Sequence, residues 1–271
     1  MSVLPGAEPF LLDAGPAAPA GIVLCHGFTG CPQSMRPWGE YLYAAGFTVA
    51  CPRLPGHGTR WQDLNATRWE DWYDELERAF DAMLDRMSYD QPRADGSDAA
   101  PVFAGGLSMG GTLVTRLAEE RGQELAGMVL VNPSYLTLRR DAALLPALSR
   151  VVSSVPGIGS DIKKAGVTEL AYPRTPLKAA FSLNRLWRLT REDLPKVRVP
   201  VRVYRSAEDH VVEPVNTRLL LDRISSTDVE ETVLTDSYHV ATLDNEAETI
   251  FAGSVDFIRA RLAQLAEQES S

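Results

Sequence analysis

Residues 101–122 read PVFAGGLSMGGTLVTRLAEERG, and this stretch decides the fold. Its first half is a continuous apolar run, which is typical of a strand covered on both faces of a sheet. Its second half has helical character and ends at Gly122. Between the two lies the pentapeptide Gly106-Leu107-Ser108-Met109-Gly110, a G-x-S-x-G pattern. A serine at such a strand-to-helix turn projects its hydroxyl above the sheet, so Ser108 is predicted to be a nucleophile.

The glycines around Ser108 have a steric explanation. Strand and helix approach each other closely at such a turn, so the residues two positions away on each side must be small, and Gly106 and Gly110 meet that demand. The helix N-terminus also directs amide groups toward the serine, which makes the Met109 amide a candidate oxyanion donor. The loop CHGFTG (25–30) follows an early strand and offers the Phe28 amide as the second donor. The pentapeptide alone is a weak pattern, and its alternative is a glycine-rich turn with an incidental serine.

A serine nucleophile needs a base and an acid, and the chain has four histidines. The order nucleophile, acid, histidine selects His239, which lies between the last predicted strand and the last helix. The acid is expected after the preceding strand, where Glu208 and Asp209 both stand. Asp209 is preferred because it lies deeper in the turn, and Glu208 is interpreted as a solvated neighbour. His210 is interpreted as structural.

Strands alternate with helices along most of the chain, which predicts a mostly parallel sheet with helices on both faces. Residues 135–190 break this alternation, because they are apolar, interrupted by proline and glycine, and contain no clear buried strand. A structureless loop of that length is improbable in a compact domain. We therefore predict an α/β core formed by residues 1–134 and 191–271, with a small helical cap inserted at 135–190.

Composition and charge exclude several classes of function. The 271 residues carry a formal net charge of −9, which argues against a nucleic-acid-binding surface. The N-terminal residues do not resemble a signal peptide, and no apolar stretch is long enough for stable membrane insertion. With three cysteines, which we interpret as free thiols, we expect a cytoplasmic protein. Neither a zinc-binding spacing nor a phosphate-binding loop occurs, so no metal and no cofactor is expected.

Taken together, these residues resemble the α/β-hydrolase superfamily, and more narrowly the bacterial monoacylglycerol lipases and their carboxylesterase relatives. The resemblance extends over nearly the whole chain after residue 20. It includes the insertion, which is the more specific part because caps differ most between subfamilies. The matching stretches are HGFTGCPQSMRPWGEYL, PRLPGHGTRWQDL, GLSMGGTL, IGSDIKKAGVTELAYPRTP, SAEDHVV and SYHVATLD.

The resemblance implies an acyl-enzyme mechanism with the same residues that order and context select, namely Ser108, Asp209, His239 and the amides of Phe28 and Met109. It also implies a small mobile cap over an apolar acyl tunnel. Within that cap, Ile158 is expected to contact the acyl chain and Glu169 a glycerol hydroxyl. The alternative interpretations are that Ile158 only packs against neighbouring side chains and that Glu169 is a solvated surface residue.

The expected substrate is a small-molecule acyl ester, most specifically a monoacylglycerol. Three alternatives stay open: a broad carboxylesterase for short- to medium-chain esters, a non-catalytic ligand receptor on the same fold, and hydrolysis of thioesters or amides. A monomer or a homodimer is expected.

Overall fold

The computed structural model describes residues 2–88, 99–139 and 144–269. The strands are β1 (Phe10–Leu12), β2 (Gly21–Cys25), β3 (Thr48–Cys51), β4 (Val102–Leu107), β5 (Gly127–Val131), β6 (Ser154–Pro156), β7 (Arg174–Pro176), β8 (Val201–Ser206) and β9 (Val229–Leu234). Seven of them form the main sheet, in the order β1-β3-β2-β4-β5-β8-β9. Neighbouring strands are parallel throughout, except that β1 runs antiparallel to β3. The mostly parallel sheet predicted from the sequence is thereby confirmed.

Helices cover both faces of this sheet. Buried side chains form two clusters, and β2 contributes alternately to them, with Val23 and Cys25 in one and Ile22 and Leu24 in the other. The helices are α1 (Arg36–Ala44), α2 (Trp61–Leu64), α3 (Trp69–Met87), α4 (Met109–Arg121), α5 (Leu145–Val151), α6 (Leu177–Asp193), α7 (Val215–Arg223) and α8 (Ala247–Glu269). The first cluster includes residues of α3, α4, α6 and α7, and the second includes residues of α1 and α8. Within the described ranges, no helix has both the length and the apolar character needed to cross a bilayer.

The insertion is not helical throughout. Besides α5 and α6 it contains the antiparallel pair β6–β7, which the sequence prediction missed. Each of these strands has three residues, which is too short for an alternating pattern to stand out. Helix α6 continues to Asp193, so the predicted boundary at residue 190 falls within a helix. The division of the chain into core and cap stays a prediction.

The close packing that the two glycines allow is visible at β4 and α4. A Cβ atom added to Gly106 would lie 2.4 Å from the carbonyl carbon of Gly110. One added to Gly110 would lie 2.0 Å from the carbonyl oxygen of Cys25, at the end of β2. In both cases the obstacle is backbone, which cannot rotate away. Helix α4 can therefore begin directly above the sheet only with glycine at these positions.

We expect Gly110→Ala to lower the free energy of unfolding by about 3 kcal/mol, because the new methyl group would force α4 away from β2. Urea denaturation followed by circular dichroism measures this. Gly159→Ala is the matched control, since a Cβ atom there meets nothing within 4 Å. If both variants unfolded at the same urea concentration as the unaltered protein, the packing argument would be wrong.

Candidate active site

Ser108 occupies a strained turn between β4 and α4. Its backbone has φ 56° and ψ −118°, a combination that non-glycine residues rarely adopt. Hydrogen bonds hold the turn on both sides, because the Ser108 amide donates to the Val131 carbonyl at 2.9 Å and the Ser108 carbonyl accepts from the Thr112 amide at 3.2 Å. We call this turn the elbow. It presents the serine at the carboxyl edge of the sheet, where parallel folds of this kind bind ligands.

The loop that follows β2 packs directly beside the elbow. A Cβ atom on Gly27 would lie 3.4 Å from the Cβ atom of Ser108. The next residues turn sharply, since Thr29 has φ 65°. The Phe28 ring is fixed against Trp72, with the ring centres 5.9 Å apart. Met109 is the first residue of α4, a position whose amide has no partner within the helix. The proposed oxyanion donors thus lie on two adjoining turns, and their role stays a prediction.

Asp209 and His239 meet at the same sheet edge. Asp209 follows β8 and His239 follows β9, and His239 Nδ1 lies 2.8 Å from Asp209 Oδ2. The other carboxylate oxygen of Asp209 accepts hydrogen bonds from the Val211 and Val212 amides, both at 2.8 Å. Both side chains are buried. These bonds fix the orientation of the carboxylate, which in turn fixes the imidazole.

Electrostatics distinguish this pair from an ordinary surface contact. Burial lowers the pKa of His239, but the charge and hydrogen bond of Asp209, together with the charges of Glu169 and Asp161, outweigh burial and hold that pKa above 6.5. Burial raises the pKa of Asp209, yet His239 and the two amides keep it below its usual value. The pair therefore favours an ionised aspartate beside an imidazole that readily accepts a proton.

The remaining histidines have different environments. Burial lowers the pKa of His26 to about 4, and its Nε2 accepts a hydrogen bond from the Leu54 amide at 3.2 Å. Burial also lowers the pKa of His57 well below 6.5. His210 is half exposed, and its hydrogen bond with Asp161 raises its pKa. Of the four, His239 alone combines burial with a raised pKa.

A buried pair of polar side chains that sequence reasoning missed, Asn132 and Ser206, joins the ends of β5 and β8 to the loop of His239. Asn132, directly after β5, donates from Nδ2 to the His239 carbonyl at 2.8 Å and to Ser206 Oγ at 3.0 Å. Ser206 Oγ donates to the Tyr238 carbonyl at 2.8 Å. The sequence signal that could have identified Asn132 is its polar side chain directly after the apolar run GMVLV. Its φ of 43° explains why asparagine suits the position, since asparagine adopts positive φ more readily than most residues.

Glu169 faces the site from the insertion. A Cβ atom on Gly30 would lie 2.6 Å from Glu169 Oε1, so the carboxyl group lies over the loop after β2. Desolvation raises the pKa of Glu169 to about 7, although His239 and the Ser34 hydroxyl oppose that rise. Ile158 is 48% exposed on the insertion. The structure thus brings Glu169 to the loop beside the elbow and leaves Ile158 at the surface.

The segment that carries Glu169 is firmly attached to the core. Asp244, which is buried, accepts hydrogen bonds from the Lys163 and Lys164 amides at 2.8 Å and from the Tyr238 amide at 2.8 Å. This part of the insertion therefore docks onto the loop that bears His239. Sequence reasoning had no signal for this contact, because the two segments are about eighty residues apart.

Comparisons with known proteins identify a matching family and several similar chains. A family model described as "Serine aminopeptidase, S33" matches residues 16–246. The chain is 39% identical over 255 residues to a thermostable monoacylglycerol lipase from Bacillus sp. (strain H-257), covering 94% of this chain and 95% of that one. It is 23% identical to a carboxylesterase from Bacillus subtilis (strain 168), covering 93% and 96% of the two chains. A solved structure from work on the metagenome-derived lipolytic enzymes LipS and LipT is similar with a TM-score of 0.86 and 39% identity, covering 96% of this chain and 100% of that chain.

Proposed function

The chain belongs to the α/β-hydrolase family of serine hydrolases that contains the bacterial monoacylglycerol lipases, and from this premise we propose that it cleaves monoacylglycerols to a fatty acid and glycerol. The assignment of the substrate rests mainly on the similarity to the Bacillus lipase, which extends over almost the full length of both chains. Support also comes from Glu169, whose carboxyl group lies over the loop after β2 that packs beside the elbow.

The proposed mechanism follows from the contacts of each group. Because Nδ1 of His239 faces Asp209, Nε2 is the nitrogen left to take the proton of Ser108. The serine oxygen attacks the ester carbonyl, and the amides of Phe28 and Met109 stabilise the negative charge on the carbonyl oxygen. The imidazolium returns its proton to the departing alcohol. Water, deprotonated by the same imidazole, then attacks the acyl-enzyme, and the imidazolium returns that proton to the Ser108 oxygen as the fatty acid leaves.

Activity should depend on pH through His239, because only the neutral imidazole can accept the serine proton. Its pKa is raised above 6.5, so kcat/KM should fall as the pH falls through a value above 6.5. A pH profile of the hydrolysis of a simple ester measures this. A rate that stayed constant down to about pH 5 would argue against a histidine base.

Within this function, Glu169 accepts a hydrogen bond from a glycerol hydroxyl and Ile158 contacts the acyl chain. Glu169 suits the first role because its carboxyl group lies at Gly30, two residues after the proposed oxyanion donor Phe28. Ile158 suits the second because its exposed side chain lies on the insertion that would cover the acyl group.

We expect Glu169→Ala to lower kcat/KM for a monoacylglycerol about tenfold more than for a nitrophenyl ester of the same fatty acid, because only the first substrate has hydroxyl groups to bind. Steady-state kinetics with the two substrates give the ratio directly. Thr168→Ala is the control, since it changes an exposed neighbour whose backbone contact to Gln33 is kept. An equal loss of kcat/KM on both substrates would show that Glu169 does not bind the glycerol hydroxyl.

The substrate class itself is tested with a series of monoacylglycerols and simple alkyl esters of increasing acyl length. Preference for glycerol esters of medium or long acyl chains supports the proposal. Preference for short simple esters, whatever the alcohol, would favour the broad carboxylesterase. An amino-acid nitroanilide added to the series tests amide cleavage, which the description of the family model raises. A cytoplasmic location and a monomeric or homodimeric state stay predictions.

A further inference from the structure

One carboxylate of the insertion binds both loops of the Asp209–His239 pair. Asp161 Oδ2 accepts hydrogen bonds from the His210 amide and the His239 amide, each at 3.2 Å. Its Oδ1 lies 2.8 Å from Nδ1 of the His210 ring, and its main-chain carbonyl accepts from the Val240 amide at 3.0 Å. The side chain is only 10% exposed. No comparable contact joins the insertion to the elbow itself among the hydrogen bonds of the described residues.

These contacts fall on the main chain immediately next to the catalytic side chains. His210 directly follows Asp209, and the second amide belongs to His239 itself. The separation of the two loops, and with it the 2.8 Å contact between Nδ1 and Oδ2, therefore depends on a group that belongs to neither loop. Asp161 reaches them from 49 and 78 residues away along the chain. Asp244 anchors the neighbouring Lys163 and Lys164 amides, so the segment that carries Asp161 is itself fixed.

We propose that Asp161 is a positioning residue for the catalytic pair: its carboxylate fixes the spacing of the two loops and places a negative charge beside the imidazole of His239. The inference rests on the proposed function, since it assigns His239 the role of base. It gives the insertion a part in catalysis that is separate from substrate binding.

The charges around His239 allow the two parts of this role to be separated. The acidic groups that face it are Asp209 from the loop after β8 and Glu169 and Asp161 from the insertion, and all three raise its pKa. His210, which pairs with Asp161 and lies 3.4 Å from Glu208, is the nearby group of opposite charge when protonated. Loss of the Asp161 charge should therefore lower the pKa of His239, while loss of its hydrogen bonds should disturb the loop spacing.

The experiment compares Asp161→Asn and Asp161→Ala with the unaltered full-length enzyme. Asparagine keeps an oxygen that can accept from the amides but removes the charge, and alanine removes both. Folded active sites are first counted by titration to completion with a fluorophosphonate. We expect kcat per titrated site to fall about a hundredfold for the alanine variant, because a misplacement of about 1 Å has an effect of that size. The asparagine variant should lose about tenfold, because it keeps the spacing of the loops and loses only the charge that makes His239 a stronger base. KM should stay nearly constant, and the acid limb of the pH profile should move to lower pH in both.

Asp236→Asn is the matched control. It removes an equal charge from the loop that bears His239, but Asp236 is exposed and its carboxylate pairs with Lys163 at 3.0 Å. We expect its kcat per site and its acid limb to match those of the unaltered enzyme.

Two outcomes would overturn the inference. One is an unchanged kcat per site and an unmoved acid limb in both Asp161 variants. The other is a loss of titratable sites with normal turnover at those that remain, which would make Asp161 purely structural. Failure of the proposed function is a different result, because the unaltered enzyme itself would then fail to hydrolyse the ester series.

Discussion

Replacing Ser108 with alanine should lower kcat for ester hydrolysis by about 10⁴- to 10⁶-fold, the loss expected when a serine nucleophile is removed. Without the hydroxyl no acyl-enzyme can form, and the oxyanion donors alone leave only a small residual rate. The fold should persist, because main-chain atoms of Ser108 make the hydrogen bonds that hold the elbow. Its amide donates to the Val131 carbonyl, and its carbonyl accepts from the Thr112 amide. Kinetics on a nitrophenyl ester give the rate, and circular dichroism during heating gives the midpoint of unfolding.

Ser254→Ala is the control for this variant. Ser254 is also a buried serine, but it lies in α8 and its hydroxyl donates to the Ile250 carbonyl. It should keep normal activity and lose no reactivity toward a fluorophosphonate. If the Ser108 variant hydrolysed esters at the normal rate, a different nucleophile would be at work and the proposed mechanism would fail.

The second large effect is expected for Asp209→Asn, at about 10⁴-fold in kcat. A loss of activity is expected because of the hydrogen bonds that Asp209 makes. Its Oδ1 accepts from the amides of Val211 and Val212, so the oxygen of the new side-chain amide will stay with them and its NH₂ group will face His239 Nδ1. That arrangement makes Nδ1 an acceptor and puts the imidazole proton on Nε2. The tautomer that remains cannot take the serine proton.

Glu208→Gln tests whether the neighbouring carboxylate has any share in this role. Glu208 is 58% exposed and its carboxylate lies 3.4 Å from Nε2 of the His210 ring. Its replacement should leave kcat unchanged, since it makes no contact with His239 among the hydrogen bonds and ion pairs of the described residues. A large loss in the Glu208 variant with a small loss in the Asp209 variant would reverse the assignment.

Much of the fold could be predicted because its strongest signals are local. The apolar runs of β2, β4 and β5 are buried over their whole length, so their strand character is visible in five or six consecutive residues. The spacing of Gly106, Ser108 and Gly110 predicts a tight turn because all three act within one turn of chain. By contrast, β1, β6 and β7 have three residues each, and no pattern of that length separates a strand from a loop.

The candidate site divides in the same way. Chain order selected His239 and the turn that holds Glu208 and Asp209, since successive parallel strands bring their following loops to one edge. Sequence could not identify the partners of Asn132, Asp161 or Asp244, because an isolated polar residue has the same appearance whether it is solvated or bonded to a distant main chain. Their partners lie 107, 78 and 81 residues away respectively.

The amino-acid sequence by itself therefore determined the elbow, the places of the strong strands along the chain and the short set of groups able to perform the chemistry, because each depends on neighbours within a few residues. Only the tertiary structure decided which carboxylate reaches His239 and how the insertion is fastened to the loops beneath it. Hydrogen bonds at about 3 Å between residues far apart in the chain depend on the packing of the whole sheet, and no local pattern encodes that distance.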